Sequence, residues 1–190
     1  MPTPERASLE QIVSAATRLV ESDGLDGMTM SAVAARVGVR PPSLYKRVKD
    51  RDDLVGMVIE AAARELRARL DAALADAGAD ALARVRAIVV ALRAFAHERP
   101  VVFGLLIAPV PAAVRASADT LAMASDALIT AVRAVAGPER ALDAARTVTA
   151  WSFGFITMEL TGAFQLGGDI DSAFAFGLDR VVNALKTGYR

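Results

Sequence analysis

Apolar residues recur every third or fourth position along almost the whole chain, and no stretch alternates apolar and polar residues over strand length. The first stripe, Ile12, Ala15, Ala16, Leu19 and Val20, predicts a helix over 8–22. Asp23 and Gly24 end it, the glycine as a C-cap, with Leu25 packed under the turn. Thr29 reads as the N-cap of a short helix over 30–37 that turns Val33, Ala34 and Val37 inward. Gly38 stops that helix with a positive φ. Arg40 and the Pro41-Pro42 pair open a further short helix, which holds Ser43 to Arg47 and buries only Leu44 and Val48. After a turn at Lys49-Asp50, a long helix is predicted over 51–77. Later helices are expected over 80–97, 100–107, 111–136, 139–166 and 169–187. Their breaks are Gly78, Pro100, Pro109 with Pro111, Gly137-Pro138, and Gly167-Gly168. The pattern describes an all-α protein of about nine helices, with a three-helix N-terminal domain over 1–50 and a helical body over 51–190.

Composition strengthens this reading and narrows the chemistry. Alanine, the strongest helix former, dominates, and 54% of the 190 residues are hydrophobic, enough for a substantial core. There is no cysteine, which excludes disulfides, thiolate catalysis and Cys-ligated zinc. The single histidine, His97, excludes a two-His metal site; placed near a helix end, it suits the helix dipole. No Gly-rich phosphate loop or nucleophile elbow occurs. Asp52-Asp53 is a carboxylate pair, but it opens a helix, where acids favour the dipole. No enzymatic activity and no cofactor are expected. Residues 1–10 lack the apolar core of a signal peptide, and the most apolar run, 100–114, is broken by prolines and too short to span a bilayer. The expectation is a soluble bacterial protein of the cytoplasm with no membrane partner.

Charge points to one segment. Lysines and arginines balance aspartates and glutamates at 22 each, so any binding of nucleic acid has to come from a local patch. Between residues 36 and 51 lie six bases (Arg36, Arg40, Lys46, Arg47, Lys49, Arg51) and one acid, Asp50. Cations at that density neutralise phosphates and release counterions. The segment contains two short helices joined by a glycine turn, the arrangement of a DNA-binding helix-turn-helix.

Over residues 8–58 the chain resembles the tetracycline-repressor (TetR) family of regulators. The resemblance rests on Gly24-Leu25, Thr29, Ala34, Gly38-Val39, Leu44-Tyr45, Lys49 and Asp53-Leu54. It departs at Val48, where the family usually has phenylalanine, and at Arg47, where an aromatic residue is common. The body resembles a subgroup with a Trp-x-His-Gly stretch, here Trp151-Ser152-Phe153-Gly154, with Phe153 in place of the histidine. The resemblance implies a homodimeric regulator of double-stranded DNA, with a pseudo-palindromic operator that mirrors the two-fold axis. It implies that Thr29 and Ser31, at a helix N-terminus, hold a phosphate and that Tyr45 and Lys49 grip the backbone. Arg40, Pro42, Ser43 and Lys46 match positions near base edges, where Arg40 or Lys46 suits guanine and Pro42 a thymine methyl. Tyr45 reads equally as a packing residue.

The resemblance further implies a small, mainly apolar effector that releases the operator by shifting the long fourth helix between two dimer shapes. Phe95, Phe103, Leu106, Met123, Trp151, Phe155 and Met158 are the candidate lining, with Thr157 and Glu159 as polar contacts. Each apolar member reads as readily as core. Glu159 is either a pocket acceptor or an interface residue paired with arginine. Two stripes on the last helices, Ala145, Val148, Thr149, Ser152 and Ile156, and Phe174, Gly177, Val181 and Ala184, predict a four-helix dimer bundle. The alternative is a helical ligand-binding or interaction protein with a non-functional DNA head. The resemblance implies a repressor; activation is the alternative within the same class, because the sequence does not encode which side of the promoter the operator occupies.

Overall fold

A computed structural model describes residues 7–108 and 118–186, with side chains for all of these except 118–124. Among the described residues the regular elements are nine helices: α1 (Leu9–Gly27), α2 (Met30–Arg36), α3 (Pro41–Leu44), α4 (Arg51–Asp76), α5 (Ala81–Glu98), α6 (Pro100–Ile107), α7 (Ala118–Ala136), α8 (Ala141–Leu160) and α9 (Ile170–Ala184). The chain is all-α, as its periodicity predicts. It divides into two compact units, residues 1–65 with 99–121, and residues 66–98 with 122–190. The predicted break at Pro109 and Pro111, and the start of the helix expected from 111, lie outside the described residues.

In the first unit Ser8 opens α1 through a capping box: its Oγ accepts from the Gln11 N–H while the Gln11 side chain accepts from the Ser8 N–H. Ile12, Ala15, Ala16, Leu19 and Val20 are buried, as their spacing predicts. The helical backbone breaks at Gly24, with φ 73°, and one further turn runs to Gly27. Thr29 caps α2 by accepting from the Ala32 N–H at 3.1 Å. Gly38, with φ 71°, closes it: the Val39 N–H reaches the Ala34 carbonyl and the Gly38 N–H that of Ala35.

Helix α3 is shorter than the sequence predicts. The helix ends at Leu44, and the N–H groups of Arg47 and Val48 both bond to the Leu44 carbonyl, at 2.8 and 3.0 Å. Leu44 and Val48 are buried to within 1% of full enclosure. Bringing both into the core while the chain swings into α4 tightens the last turn. Asp50 and Asp53 fix that entry: Asp50 Oδ1 accepts from the Asp53 N–H and Asp53 Oδ2 from the Lys49 N–H, each at 2.8 Å. Helix α1 packs on α2 and on α6, whose Val102 and Phe103 join the core.

In the second unit α5, α8 and α9 pack pairwise, and Val85, Ile88, Leu92, Val148, Ile156, Leu178 and Val182 are buried. Helix α8 ends at Leu160, six residues before the predicted end at 166. Gly162 adopts φ 66°, and the Ala163 N–H bonds the Met158 carbonyl at 2.8 Å, a glycine C-cap. Asp169 caps α9 by accepting from the Ser172 N–H at 3.0 Å. No described helix is long and apolar enough to cross a membrane.

Candidate nucleic-acid interface and effector residues

The short α3 and the turn behind it set the exposed surface of the first unit. With Leu44 and Val48 committed to the core, Pro42, Ser43, Tyr45, Lys46 and Arg47 have to face outward, and all are exposed, as are Arg40 and Lys49. Tyr45 is 53% exposed, which leaves its hydroxyl in water. Thr29 and Ser31 are exposed at the start of α2. Because Thr29 Oγ1 takes the Ala32 N–H, the preceding N–H groups of Met30 and Ser31 stay open. Among the described residues Arg36, Arg40, Lys46, Arg47 and Lys49 make no ion pair, so their charge is presented whole.

Arg51 behaves differently. Its Nε donates to the Met28 carbonyl at 3.1 Å and its Nη2 to the Leu25 carbonyl at 2.5 Å. The sequence groups it with the phosphate-neutralising cations, yet its side chain turns back into its own unit. The signal was a lone arginine ahead of Asp52-Asp53, at a helix end that disfavours cations. Glu21 makes a second contact that helical spacing does not show. Its carboxylate accepts from the Val101 and Val102 N–H groups at 3.3 and 3.0 Å and so caps α6.

The effector residues named from sequence fall in both units. Phe103 is buried and Leu106 half-buried on α6 of the first. Phe95 is buried on α5 of the second, beneath the Arg69 guanidinium. The side chain of Met123 lies outside the described residues. The structure does bring Trp151 and Phe155 together, with ring centroids 5.6 Å apart, and both meet Phe174. Phe155 also meets Phe164 at 4.9 Å. Met158 is exposed.

Glu159 pairs with an arginine of its own chain. Its side chain is only 8% exposed; Arg93 Nε donates to Oε2 at 2.9 Å and Nη2 to Oε1. His97 Nε2 lies 3.2 Å from Oε1, and Arg93 also reaches Asp171 at 2.6 Å and lies over the Phe174 ring. The bond from Arg93 holds the Glu159 carboxyl below the usual glutamate range, against burial, which pushes it up. The same bond raises the Arg93 guanidinium.

A groove of about 990 Å³ lies in the first unit, between α1 and the first part of α4, lined in part by Val13, Arg18, Met57, Glu60, Ala61 and Arg99. None of the effector candidates lines it.

Of the two stripes expected at a dimer contact, Thr149 and Val181 are half-buried and Ala184 is exposed, whereas others turn inward. Ala145, Val148, Ser152, Ile156 and Phe174 are buried within their own unit. Gly177 is taken up by Trp151 of α8: a Cβ there would lie 2.5 Å from the indole Cζ2. Both faces of α8 are rich in small and apolar residues, so its periodicity does not say which face is inner.

Residues 12–58 match the family described as bacterial regulatory proteins of the tetR family. Residues 85–181, half of the chain, match the tetracyclin repressor-like C-terminal domain. The chain is 36% identical over 56 residues to the class E tetracycline repressor protein of Escherichia coli, covering 30% of this chain and 26% of that protein. It spans less than half the length of the curated relatives it matches. A solved structure from Rhodococcus sp. RHA1 superposes with TM-score 0.81 at 23% identity, covering 98% of this chain and 100% of the other. A minocycline complex of a TetR variant from Acinetobacter baumannii AYE superposes with TM-score 0.69 at 21% identity, covering 96% of this chain and 99% of the other. The chain belongs to the tetracycline-repressor family of transcriptional regulators.

Proposed function

We propose that this regulator is a homodimeric repressor that binds a pseudo-palindromic operator through residues 1–50 and is released when a small, mainly apolar molecule binds residues 51–190. The observation that carries the DNA reading is the exposed run from Arg40 to Lys49, in which four cations have no acidic partner among the described residues. An unneutralised cluster in a chain of zero net charge suits a polyanion. Thr29, Ser31, Tyr45 and Lys49 are assigned to the phosphate backbone. Arg40, Pro42, Ser43 and Lys46 are assigned to the major groove, where arginine and lysine favour guanine. The aromatic group around Trp151 and Phe155 supports an apolar effector, and the A. baumannii neighbour was solved in complex with a small molecule, minocycline. No catalytic role is assigned to any residue, and the proposed place of action is the cytoplasm.

Binding of the purified protein to the DNA upstream of its own gene, followed across a salt series, tests this reading. Specific binding that weakens steeply with salt is expected. Lys49→Ala should flatten the slope of log K against log salt by about 0.9 for each phosphate contact removed. Lys46→Ala should relax base preference, at a cost of about 1–3 kcal/mol per site. If neither this fragment nor selection from random oligonucleotides yields specific binding, the protein is a helical ligand binder with an idle head.

A further inference from the structure

Arg51 stands where a cation is disfavoured. It is the first residue of α4, against the positive end of that helix's dipole, while Asp52 and Asp53 behind it carry the favoured sign. Its side chain leaves that end altogether. Nε bonds to the Met28 carbonyl and Nη2 to the Leu25 carbonyl, 23 and 26 residues away in sequence. Leu25 lies in the single turn beyond the Gly24 break and Met28 directly after it; the Leu25 carbonyl already accepts from the Met28 N–H at 3.3 Å, so Arg51 adds a second, charged donor there. Helix α1 has no basic residue in its own last turn. Arg51 supplies that cation from α4.

Both ends of this link matter for the head. Met28, fully buried, precedes Thr29, the N-cap of α2. Lys49 lies two residues before Arg51, and its N–H is tied to Asp53. The fork therefore connects the start of α2 to the start of α4, the two places assigned to the DNA backbone. Reaching two carbonyls at once needs the planar, multi-donor guanidinium; a lysine ammonium is a single point of charge on a flexible stem. We propose that Arg51 is a positioning residue for DNA binding. It sets the spacing between the two backbone-gripping points and makes no phosphate contact of its own. The inference rests on the DNA-binding reading above.

The experiment compares wild type, Arg51→Lys, Arg51→Gln and Lys49→Ala on the operator selected by the wild type. Affinities are measured across a salt series, well below the melting temperature of each protein. Arg51→Lys and Arg51→Gln are both expected to lose about tenfold in affinity with the wild-type salt slope, since a lost charged hydrogen bond, not a lost ion contact, is responsible. Amide exchange at Met28 to Met30 should quicken in both. Lys49→Ala should flatten the slope. Wild-type affinity in Arg51→Lys, with a weaker and flatter response in Arg51→Gln, would make Arg51 a phosphate contact and overturn the inference. Wild-type affinity in both, whatever the melting temperature does, would reduce it to a fold contact and overturn it too. A wild type without specific DNA binding would remove the DNA reading itself, and the inference with it.

Discussion

Gly177 of α9 and Trp151 of α8 meet so closely that one methyl group decides between two opposed effects. Alanine is a better helix former than glycine by about 1 kcal/mol. A Cβ at residue 177 would, however, lie 2.5 Å from Trp151 Cζ2 and 3.1 Å from Cε2, and the indole, stacked on Phe174, has little room to yield. Overpacking of this kind costs about 1–3 kcal/mol, so Gly177→Ala should destabilise despite its helix propensity. Trp151 is the only tryptophan, so a shift in its emission alongside a lowered melting temperature reports the clash directly. Glu159 gives a pH dependence. Its folded-state pKa is depressed by Arg93, so it binds fewer protons folded than unfolded. It therefore contributes stability above the ordinary glutamate range, and loses it as pH falls through that range towards the folded value. Glu159→Gln should cost about 2 kcal/mol at neutral pH and less in acid, checked by urea unfolding across pH. On sequence Glu159 is either a pocket acceptor or an interface residue paired with arginine, and the structure pairs it with an arginine of its own chain. Arg93 lies 66 residues away, and such a pairing leaves no trace in helical spacing.

At the scale of elements, local chemistry was legible where it acts within a few residues. The Thr29 cap, the positive φ of Gly38, the buried pair Leu44 and Val48, and the span of α6 all follow from short-range rules. The end of α8 did not, because Gly162 sits in a run, Leu160 to Phe164, that reads as helix interior until its φ is known. The short α3 was equally hidden, since the tightening after Leu44 answers to the core and not to local propensity. The cap on α6 is likewise a tertiary device. Pro100 at its first turn fixes φ but offers no acceptor to the N–H groups that follow. Glu21 of α1 supplies both oxygens, with the sign the dipole favours. Glu21→Ala should destabilise the first unit by about 1–2 kcal/mol. It should also speed amide exchange at Val101 and Val102 while leaving the second unit unchanged; wild-type protection at Val101 and Val102 would rule out the cap.

For the whole molecule, the inward-facing stripe of α8 transfers the question of dimerisation to what remains outside. Leu142, Ala150, Gly154, Thr157 and Met158 are exposed on α8, and Ala173, Phe176, Arg180 and Ala184 on α9. Steps of three and four residues put the α9 set along one face, and steps of eight, four and three bring Leu142, Ala150, Gly154 and Thr157 to one side of α8, with Met158 beside them. Phe176 is 64% exposed and lies beneath the Arg180 guanidinium, 5.0 Å from its ring centroid. Leaving a phenylalanine in water forgoes about 1.5–3 kcal/mol, which covering by a second copy would recover in each subunit. A two-fold contact repeats every residue on both sides, so one substitution counts twice. Phe176→Glu should therefore remove that apolar contact and place a carboxylate on both sides of the proposed interface, leaving a folded monomer, read by sedimentation with helical content unchanged. The same variant separates association from DNA recognition. A monomer grips one half-site only, so its operator affinity should collapse while weak, salt-sensitive binding through Arg40 to Lys49 persists. A Phe176→Glu protein that still sediments as a dimer would move the interface to another face and leave this phenylalanine without a partner in the assembly.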